Sequence, residues 1–518
     1  MINWLKNAIF YEIYPQSFAD SNGDGIGDFQ GIIDHLDYIK ELGCNAIWMN
    51  PCYESPMLDA GYDVADYRRT AARYGTNADL KRLFGEVHKR DMHILLDLVP
   101  GHTSWKHEWF QESLKSTPNP YSGRYVWTDS AWKDFGNDES IRGFMRGLSD
   151  RNGTVAINFY SHQPCLNYGY YQIDDPTWQQ SMDSEDALST REAIKDIMRF
   201  WLKLGCDGFR VDMAGSLVKN DPQQEGTIAL WQDFREFMDR EFPQAVLISE
   251  WGQPDRSLRG GFHMDFMLHF GPSNYSSLFH TDDPWFSREG NGDASKFVEY
   301  YKSCYEPTNG KGMICMPSGN HDMPRLANWL DEAEAKIVFA FLLSLPGAPF
   351  IYYGDEIGMK YLKDIPSVEG GYDRTGSRSP MQWDDSLNAG FSAAKPEDLY
   401  IRIDPDPERP TVQKSLANPA SLYHEIKKLT GIRQEHTVLQ SQAKVEFLYC
   451  KPASYPLAYR RSNAKESVLV LINPSMQDAS FPYSGKLGEM IYLNGRKPVL
   501  KGGQLLVPGE TAAFIWEK

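Results

Sequence analysis

Eight short apolar or β-branched runs recur between residues 8 and 353, many of them separated by stretches in which apolar residues fall at helical spacing. The runs are residues 8–14, 46–50, 93–99, 208–212, 246–250, 263–268, 313–317 and 349–353. A strand buried on both faces reads as a nearly continuous apolar run, and parallel neighbours need a long crossover between them. The alternation therefore predicts an α/β fold with a parallel sheet sheathed in helices, and eight repeats match a closed (β/α)8 barrel. Residues 28–42, 77–90, 191–204 and 332–345 carry apolar positions three and four apart and predict helices, with Gly43 and Gly205 at their C-terminal caps.

Two stretches interrupt the pattern. About ninety residues rich in Gly, Asn, Ser, Trp and Tyr separate the third run from the helix at 191, too many for a βα connection in a compact barrel. They predict a lid inserted after strand 3. Residues 360–419, irregular and rich in Pro and Asp, predict a long active-site loop after the eighth strand. Beyond them, residues 445–450, 467–472, 503–507 and 511–516 alternate apolar and polar positions, which predicts a small antiparallel β-sandwich. At 518 residues the chain exceeds a single core. The division expected is a catalytic barrel over 1–102 and 181–435, a lid over 103–180 and a C-terminal β domain over 436–518.

Charge and composition narrow the partners. With 53 Lys and Arg against 70 Asp and Glu, the net charge is −17, which repels nucleic acid and anionic membrane surfaces. The longest apolar stretch, residues 337–353, contains Pro346, Gly347 and Pro349 and reads as a buried helix followed by a strand rather than a membrane span. The chain opens without a basic segment followed by an apolar one, so a cytoplasmic protein is expected. Seven scattered cysteines without a C-x-x-C pair suggest free buried thiols. The 14 Trp and 28 Tyr serve the core and also suit stacking on sugar rings. A monomer and a small homo-oligomer both stay open.

In such a barrel the reacting groups stand where strands end and βα loops begin. The third strand leads into Asp97 and His102, the fourth into Arg210 and Asp212, the fifth into Glu250, and the seventh into His321 and Asp322. Arg210 and Asp212 are two apart on a strand, so both side chains point one way and the guanidinium can keep the carboxylate ionised as a nucleophile. Retaining glycoside hydrolysis needs a second carboxyl about 5–5.5 Å away to protonate the leaving oxygen and then activate water. Adjacent strands lie roughly 4.7–4.9 Å apart, which suits Glu250 to that role. Asp322, His102 and His321 can hold sugar hydroxyls. Singly, each of these residues reads more simply as an ion pair or scaffold group; the constellation carries the argument.

These stretches resemble the signatures of the α-amylase superfamily, glycoside hydrolase family 13, and especially its oligo-1,6-glucosidase and α-glucosidase members. The resemblance covers nearly the whole chain. It implies Asp212 as nucleophile, Glu250 as acid/base and Asp322 as transition-state stabiliser, with Arg210, His102 and His321 binding at the cleavage point. Gly61-Tyr62-Asp63 is similar to the family's stacking tyrosine and its neighbouring acid, and Arg378-Ser-Pro-Met-Gln-Trp383 to a motif of exo-acting glucosidases. The resemblance implies that Asp63 and Arg378 clamp a non-reducing glucose beside Tyr62. Three positions depart from the pattern: Gly101 replaces an Asn, Cys165 stands where an acid is usual, and Met213 follows the nucleophile.

Asp20, Asn22, Asp24, Ile26 and Asp28 place oxygen ligands at alternate positions, as an EF-hand loop opens, but Gly31 occupies the twelfth position, where an EF-hand has Glu. The resemblance implies a structural Ca2+ or Mg2+ in this loop and no organic cofactor. The glycines lack dinucleotide-binding spacing, and Asp24 and Asp28 would repel a pyrophosphate. The function expected is a retaining α-glucosidase acting at the non-reducing end of short oligosaccharides or disaccharides. A transglycosylase or a sugar isomerase, such as a trehalose synthase, would use the same intermediate. A non-catalytic scaffold on this barrel is the remote alternative.

Overall fold

Each of the eight apolar runs is a buried strand in the computed structural model, which describes residues 2–136, 138–308 and 311–518. They are β1 Phe10–Ile13, β2 Ala46–Met49, β3 His93–Leu98, β4 Gly208–Val211, β5 Val246–Ser249, β6 Met264–Phe266, β7 Met313–Pro317 and β8 Ala348–Tyr352. The strands close into one parallel barrel in sequence order, β8 pairing with β1. Phe10, Trp48, Leu95, Ile248, Met264 and Phe350 fill its interior. Phe10 and Phe350 stack at 4.3 Å. The barrel is thus a packed core, and in such a fold the active site lies above the C-terminal rim.

The surrounding helices include α1 Phe29–Asp34, α2 Leu36–Glu41, α3 Asn77–His88, α4 Glu185–Leu204, α5 Glu225–Glu241, α6 Ser295–Thr308, α7 Glu332–Ser344 and α8 Leu422–Glu435. Their ends are written locally. Thr76 with Asp79 and Asp331 with Glu334 form capping boxes, and Gly205 ends α4 at a φ of 129°. The single helix expected over 28–42 is instead two, broken at His35, whose φ of −115° and ψ of 10° leave the helical region. Its ring lies against Trp383 at 3.8 Å, a contact with the loop after β8 that the local sequence does not reveal. Helices α5, α6 and α8 lie outside the four predicted segments. In α5, buried Ile228, Trp231, Phe234 and Phe237 are interleaved with charged residues that dilute the pattern.

Between β3 and α4 the chain leaves the barrel, and Gly143–Arg146 pairs antiparallel with Thr154–Ile157. It returns across the rim, where His102 bridges to Cys165. After α8 come a five-stranded antiparallel sheet and a three-stranded one. Leu469, Leu471 and Ala513 of the first share an apolar cluster with Phe481, Leu505 and Val507 of the second. The opposite face of the larger sheet, with Tyr459, Val470 and Phe514, joins the main core. All seven cysteines are free, six buried and Cys450 half-buried. Among the described residues no helix is long and apolar enough to cross a membrane.

Candidate active site

The strand register places the chemistry. Asp97 on β3 is the Cα partner of Arg210 on β4, and Val211 is the partner of Ser249 on β5. The residues that follow those last two, Asp212 and Glu250, therefore rise side by side from the rim. One buried guanidinium joins them. Arg210 Nη1 lies 2.7 Å from Asp97 Oδ1 and 3.1 Å from Asp212 Oδ1, and Nη2 lies 2.9 Å from Glu250 Oε2. Its other support is the face of Trp48, 4.9 Å below. Burial and the charge of Glu250 push the Asp212 carboxyl above its usual range, against the pull of Arg210.

After Asp212 the backbone turns sharply, with Met213 left-handed at a φ of 46°. That turn aims the Met213 N–H at Glu250 Oε2, 3.1 Å away. The loop carrying Glu250 is tied down from the next strand. Asp265 Oδ1 accepts from Ser249 Oγ at 2.8 Å and from the amides of Trp251 and Gly252 at 3.0 and 3.3 Å. Burial pushes the Asp265 carboxyl up to about 7. Nothing in the local sequence marks this residue, since the contact runs between neighbouring strands.

Asp212, Met213, Glu250 and Trp251 line a cavity of about 560 Å³ together with Asp59, Tyr62, His102, Asp322 and Arg374, with Phe159 and Phe270 exposed at its edge. Asp97, Arg210 and Asp265 lie behind that wall. Arg374 Nη1 and Arg378 Nη2 both meet Asp322 Oδ1, at 3.0 and 2.9 Å. Burial opposes ionisation of Asp322, yet the neighbouring positive groups outweigh it and hold the carboxyl well below the usual range. Burial drives His321 itself down to about 3, so at neutral pH its ring is uncharged and the guanidiniums carry the effect.

The expected clamp is only partly where the sequence put it. Asp63 does not face the cavity: its carboxylate accepts from Ser55 Oγ at 2.9 Å and from the amides of Leu58 and Asp59 at 3.1 and 3.0 Å. Ala60 and Gly61, both at positive φ, turn the chain so that Asp59 shares the cavity with Tyr62. Arg378 is likewise buried behind Asp322, its Nε donating to the His321 carbonyl at 2.9 Å. Arg374, one turn earlier on the 3-10 helix Tyr372–Arg378, reaches the cavity and lies 3.3 Å from Asp59 Oδ1. The pair flanking Asp322 in the cavity is thus Asp59 and Arg374. Each lies four residues before the residue named from its motif, outside the motif itself.

Both histidines belong to the wall. His102 has Nε2 3.2 Å from the Tyr62 carbonyl and Nδ1 2.9 Å from Asn158 Nδ2. His321 has Nδ1 2.9 Å from Glu12 Oε1 and Nε2 2.9 Å from the Tyr62 hydroxyl. His102 also lines the cavity, whereas His321 does not and sits behind Tyr62; the ring nitrogens of both orient Tyr62 and the loops. Glu12, buried in β1, went unnoticed in the sequence because it sits in an apolar run, and burial raises its carboxyl well above the usual range. Cys165 packs in an apolar cluster with Val126 and Ala156.

The Asp20–Asp28 loop stands apart from the cavity lining. Asp20 accepts from the amides of Asn22, Gly23 and Gly25, Asn22 from Asp24, and Asp24 from Ile26, while Asp28 caps α1 through the Gly31 amide. Gly25, the sixth position, has a φ of 89°, the sharp turn that an EF-hand loop makes there. Among the described residues no three His, Cys, Asp or Glu side chains gather as a metal cluster.

Comparison with known proteins agrees with this geometry. The model of the α-amylase catalytic domain matches residues 12–442. A glucan 1,6-α-glucosidase of Streptococcus pneumoniae is 31% identical, with 98% of each chain covered. An oligo-1,6-glucosidase of Parageobacillus thermoglucosidasius is 32% identical over 92% of each chain, and a trehalose synthase/amylase of Mycolicibacterium smegmatis is 33% identical over 84% of this chain and 77% of that one. The crystal structure of the trehalulose synthase MutB from Pseudomonas mesoacidophila superposes with a TM-score of 0.82 at 27% identity, covering both chains fully. By its barrel, its cluster of carboxylates around one arginine and these matches, the chain belongs to the α-amylase family, glycoside hydrolase family 13.

Proposed function

We propose that the protein is a retaining α-glucosidase acting on the non-reducing end of short α-linked gluco-oligosaccharides or disaccharides. The observation that carries this reading is the single guanidinium of Arg210 on both Asp212 and Glu250. Carboxyls sharing one arginine fork suit the short separation of retaining enzymes, about 5–5.5 Å, better than the roughly 6.5–9.5 Å that leaves room for an inverting water. In the reactive form the proton shared by this close pair lies on Glu250 and Asp212 is ionised beside Arg210; Asp212 then attacks the anomeric carbon while Glu250 gives that proton to the departing glycosidic oxygen. Glu250, now ionised, takes a proton from water, whose oxygen displaces Asp212 and releases glucose with its configuration kept. Asp322, held ionised, and the Asp59–Arg374 pair bind the hydroxyls of the sugar in the cavity.

Asp59, Arg374 and Asp322 stand together in the cavity lining, joined by ion pairs, and such a polar cluster supports recognition of a chain end. The names of the relatives, glucan 1,6-α-glucosidase and oligo-1,6-glucosidase, support the substrate class. The test is turnover of isomaltose, maltose, sucrose and trehalose with the first product's anomer followed by proton NMR. A β-anomer first product would overturn the nucleophile assignment. A second reading, isomerisation, draws on exposed Phe159 and Phe270 at the cavity mouth, which could hold the leaving sugar for return attack, and on the likeness to a trehalulose synthase. Isomeric disaccharides formed from sucrose or maltose would favour it.

We also infer a structural Ca2+ or Mg2+ in the Asp20–Asp28 loop, with the side chains of Asp20, Asn22, Asp24 and Asp28 and the carbonyl of Ile26 as hard oxygen donors. The bound ion would supply loop rigidity and no chemistry to the reaction. Equal melting temperatures in excess Ca2+, in excess Mg2+ and in chelator would refute it.

A further inference from the structure

Residue 101 is glycine where the resemblance expects asparagine, and a side chain from the lid occupies the space so left. A Cβ built on Gly101 would lie 2.6 Å from Asn158 Nδ2, closer than a carbon and a nitrogen approach without displacement. Asn158 directly follows the lid strand Thr154–Ile157 and is buried. Its amide nitrogen is 2.9 Å from His102 Nδ1 and 3.7 Å from Met213 Sδ, so its two N–H groups reach the β3 loop and the residue next to the nucleophile. An amide nitrogen only donates and a carbonyl only accepts. His102 Nδ1 therefore accepts from Asn158, and Nε2 carries the proton that it donates to the Tyr62 carbonyl.

We propose that Asn158 is a positioning residue of this active site: it fixes the tautomer and place of His102, supplying from the lid the support that position 101 lacks. The inference rests on the glucosidase reading above. Asn158 does not line the cavity, and it acts through His102 and Met213. His102 in turn holds the Tyr62 backbone, whose hydroxyl meets Asp97 Oδ2 at 3.1 Å. Because Asn158 belongs to the lid, a lid lifted from the barrel would withdraw this donor and release the tautomer.

Asn158→Asp separates the role from packing, since it keeps the shape and removes the donor. The expected result is a fall of about tenfold or more in kcat/KM for p-nitrophenyl α-glucoside, most of it in kcat, as befits a lost buried hydrogen bond. Asn158→Leu, which introduces no charge, is the second arm and should show the same fall at a melting temperature near the parent's. Gly101→Asn has to displace the Asn158 amide and should lose activity to about the extent of Asn158→Asp, and Gly101→Asn/Asn158→Ala should recover activity relative to it. If both Asn158→Asp and Asn158→Leu stay within about twofold of the parent, or the double variant is no better than Gly101→Asn alone, the assignment is wrong. Neither result would touch the glucosidase reading, which is tested separately by the anomer of the first product and by turnover of Asp212→Asn and Glu250→Gln.

Discussion

Asp59 and Asp63 are four residues apart in one loop, and exchanging each for asparagine separates sugar binding from loop stability. Burial pushes the Asp59 carboxyl from 3.8 up to about 7, against the pull of Arg374. At about 1.4 kcal/mol for each tenfold change in proton affinity, holding Asp59 ionised in the fold costs up to about 4 kcal/mol. A carboxyl whose folded-state pKa is raised contributes fully below its unfolded pKa, and that contribution is lost as pH rises through the folded value. For Asp59 the window runs from 3.8 to about 7. Asp59→Asn removes the penalty, so its melting temperature should match the parent's near pH 4 and exceed it at pH 8.

The same change removes the anionic acceptor from the cavity, so kcat/KM for p-nitrophenyl α-glucoside should drop by about ten- to a hundredfold, the worth of a charged hydrogen bond of roughly 1.5–3 kcal/mol. Asp63→Asn should spare the rate and cost stability; burial raises the Asp63 carboxyl as it does that of Asp59, but the three hydrogen bonds it accepts are what the change weakens. Its carboxylate closes the loop through Ser55 and two backbone amides, so the variant loses about 1–3 kcal/mol of stability while the surviving folded enzyme keeps near-parent kcat. Differential scanning calorimetry at pH 4 and 8, with steady-state kinetics on the same samples, reads both. An Asp63→Asn enzyme that melts like the parent but has lost its activity, beside an active Asp59→Asn, would refute the reassignment.

Three further expectations follow from the geometry. Asp212→Asn and Glu250→Gln should each lower kcat by about 10²–10⁴ or more without changing the far-UV circular dichroism, and near-normal turnover in either would sink the mechanism. Asp265→Ala should free the Trp251–Gly252 amides and slow kcat, whereas Asp265→Asn keeps an acceptor and most of the rate; equal loss in both would mean that charge matters there rather than the bond. Glu12→Ala should raise KM, because it leaves His321 Nδ1 with Asn50 alone, 3.1 Å away, whereas Glu12→Gln should be almost silent at neutral pH, where burial already favours the uncharged acid. A strong defect in Glu12→Gln, measured at pH 7, would show that the ionised form is needed.

The barrel itself was legible in the sequence because a strand buried on both faces has to be apolar along its length, and all eight runs are strands. Asp212, Glu250 and Arg210 were legible for a related reason: strand ends feed one rim, and a period of two puts Arg210 and Asp212 on one side. Loops have no such period. Whether Asp59 or Asp63 meets a sugar depends on two positive-φ residues between them, Ala60 and Gly61, and the motif names only Asp63. Arg374 and Arg378 differ in the same way, by one turn of a 3-10 helix lying across the cavity.

Contacts between distant segments were beyond the sequence altogether. Asp265 under the Glu250 loop, Glu12 behind His321 and Asn158 in the space at Gly101 join residues 14 to 309 positions apart. Each is a buried polar group that has to find a partner, and only the closed barrel with its lid in place decides which one is near. The sequence by itself determined the fold and the reacting carboxylates, through periodicity and strand ends. The tertiary structure decided which side chains hold them, because partner choice depends on distance in space and leaves no local pattern in the chain.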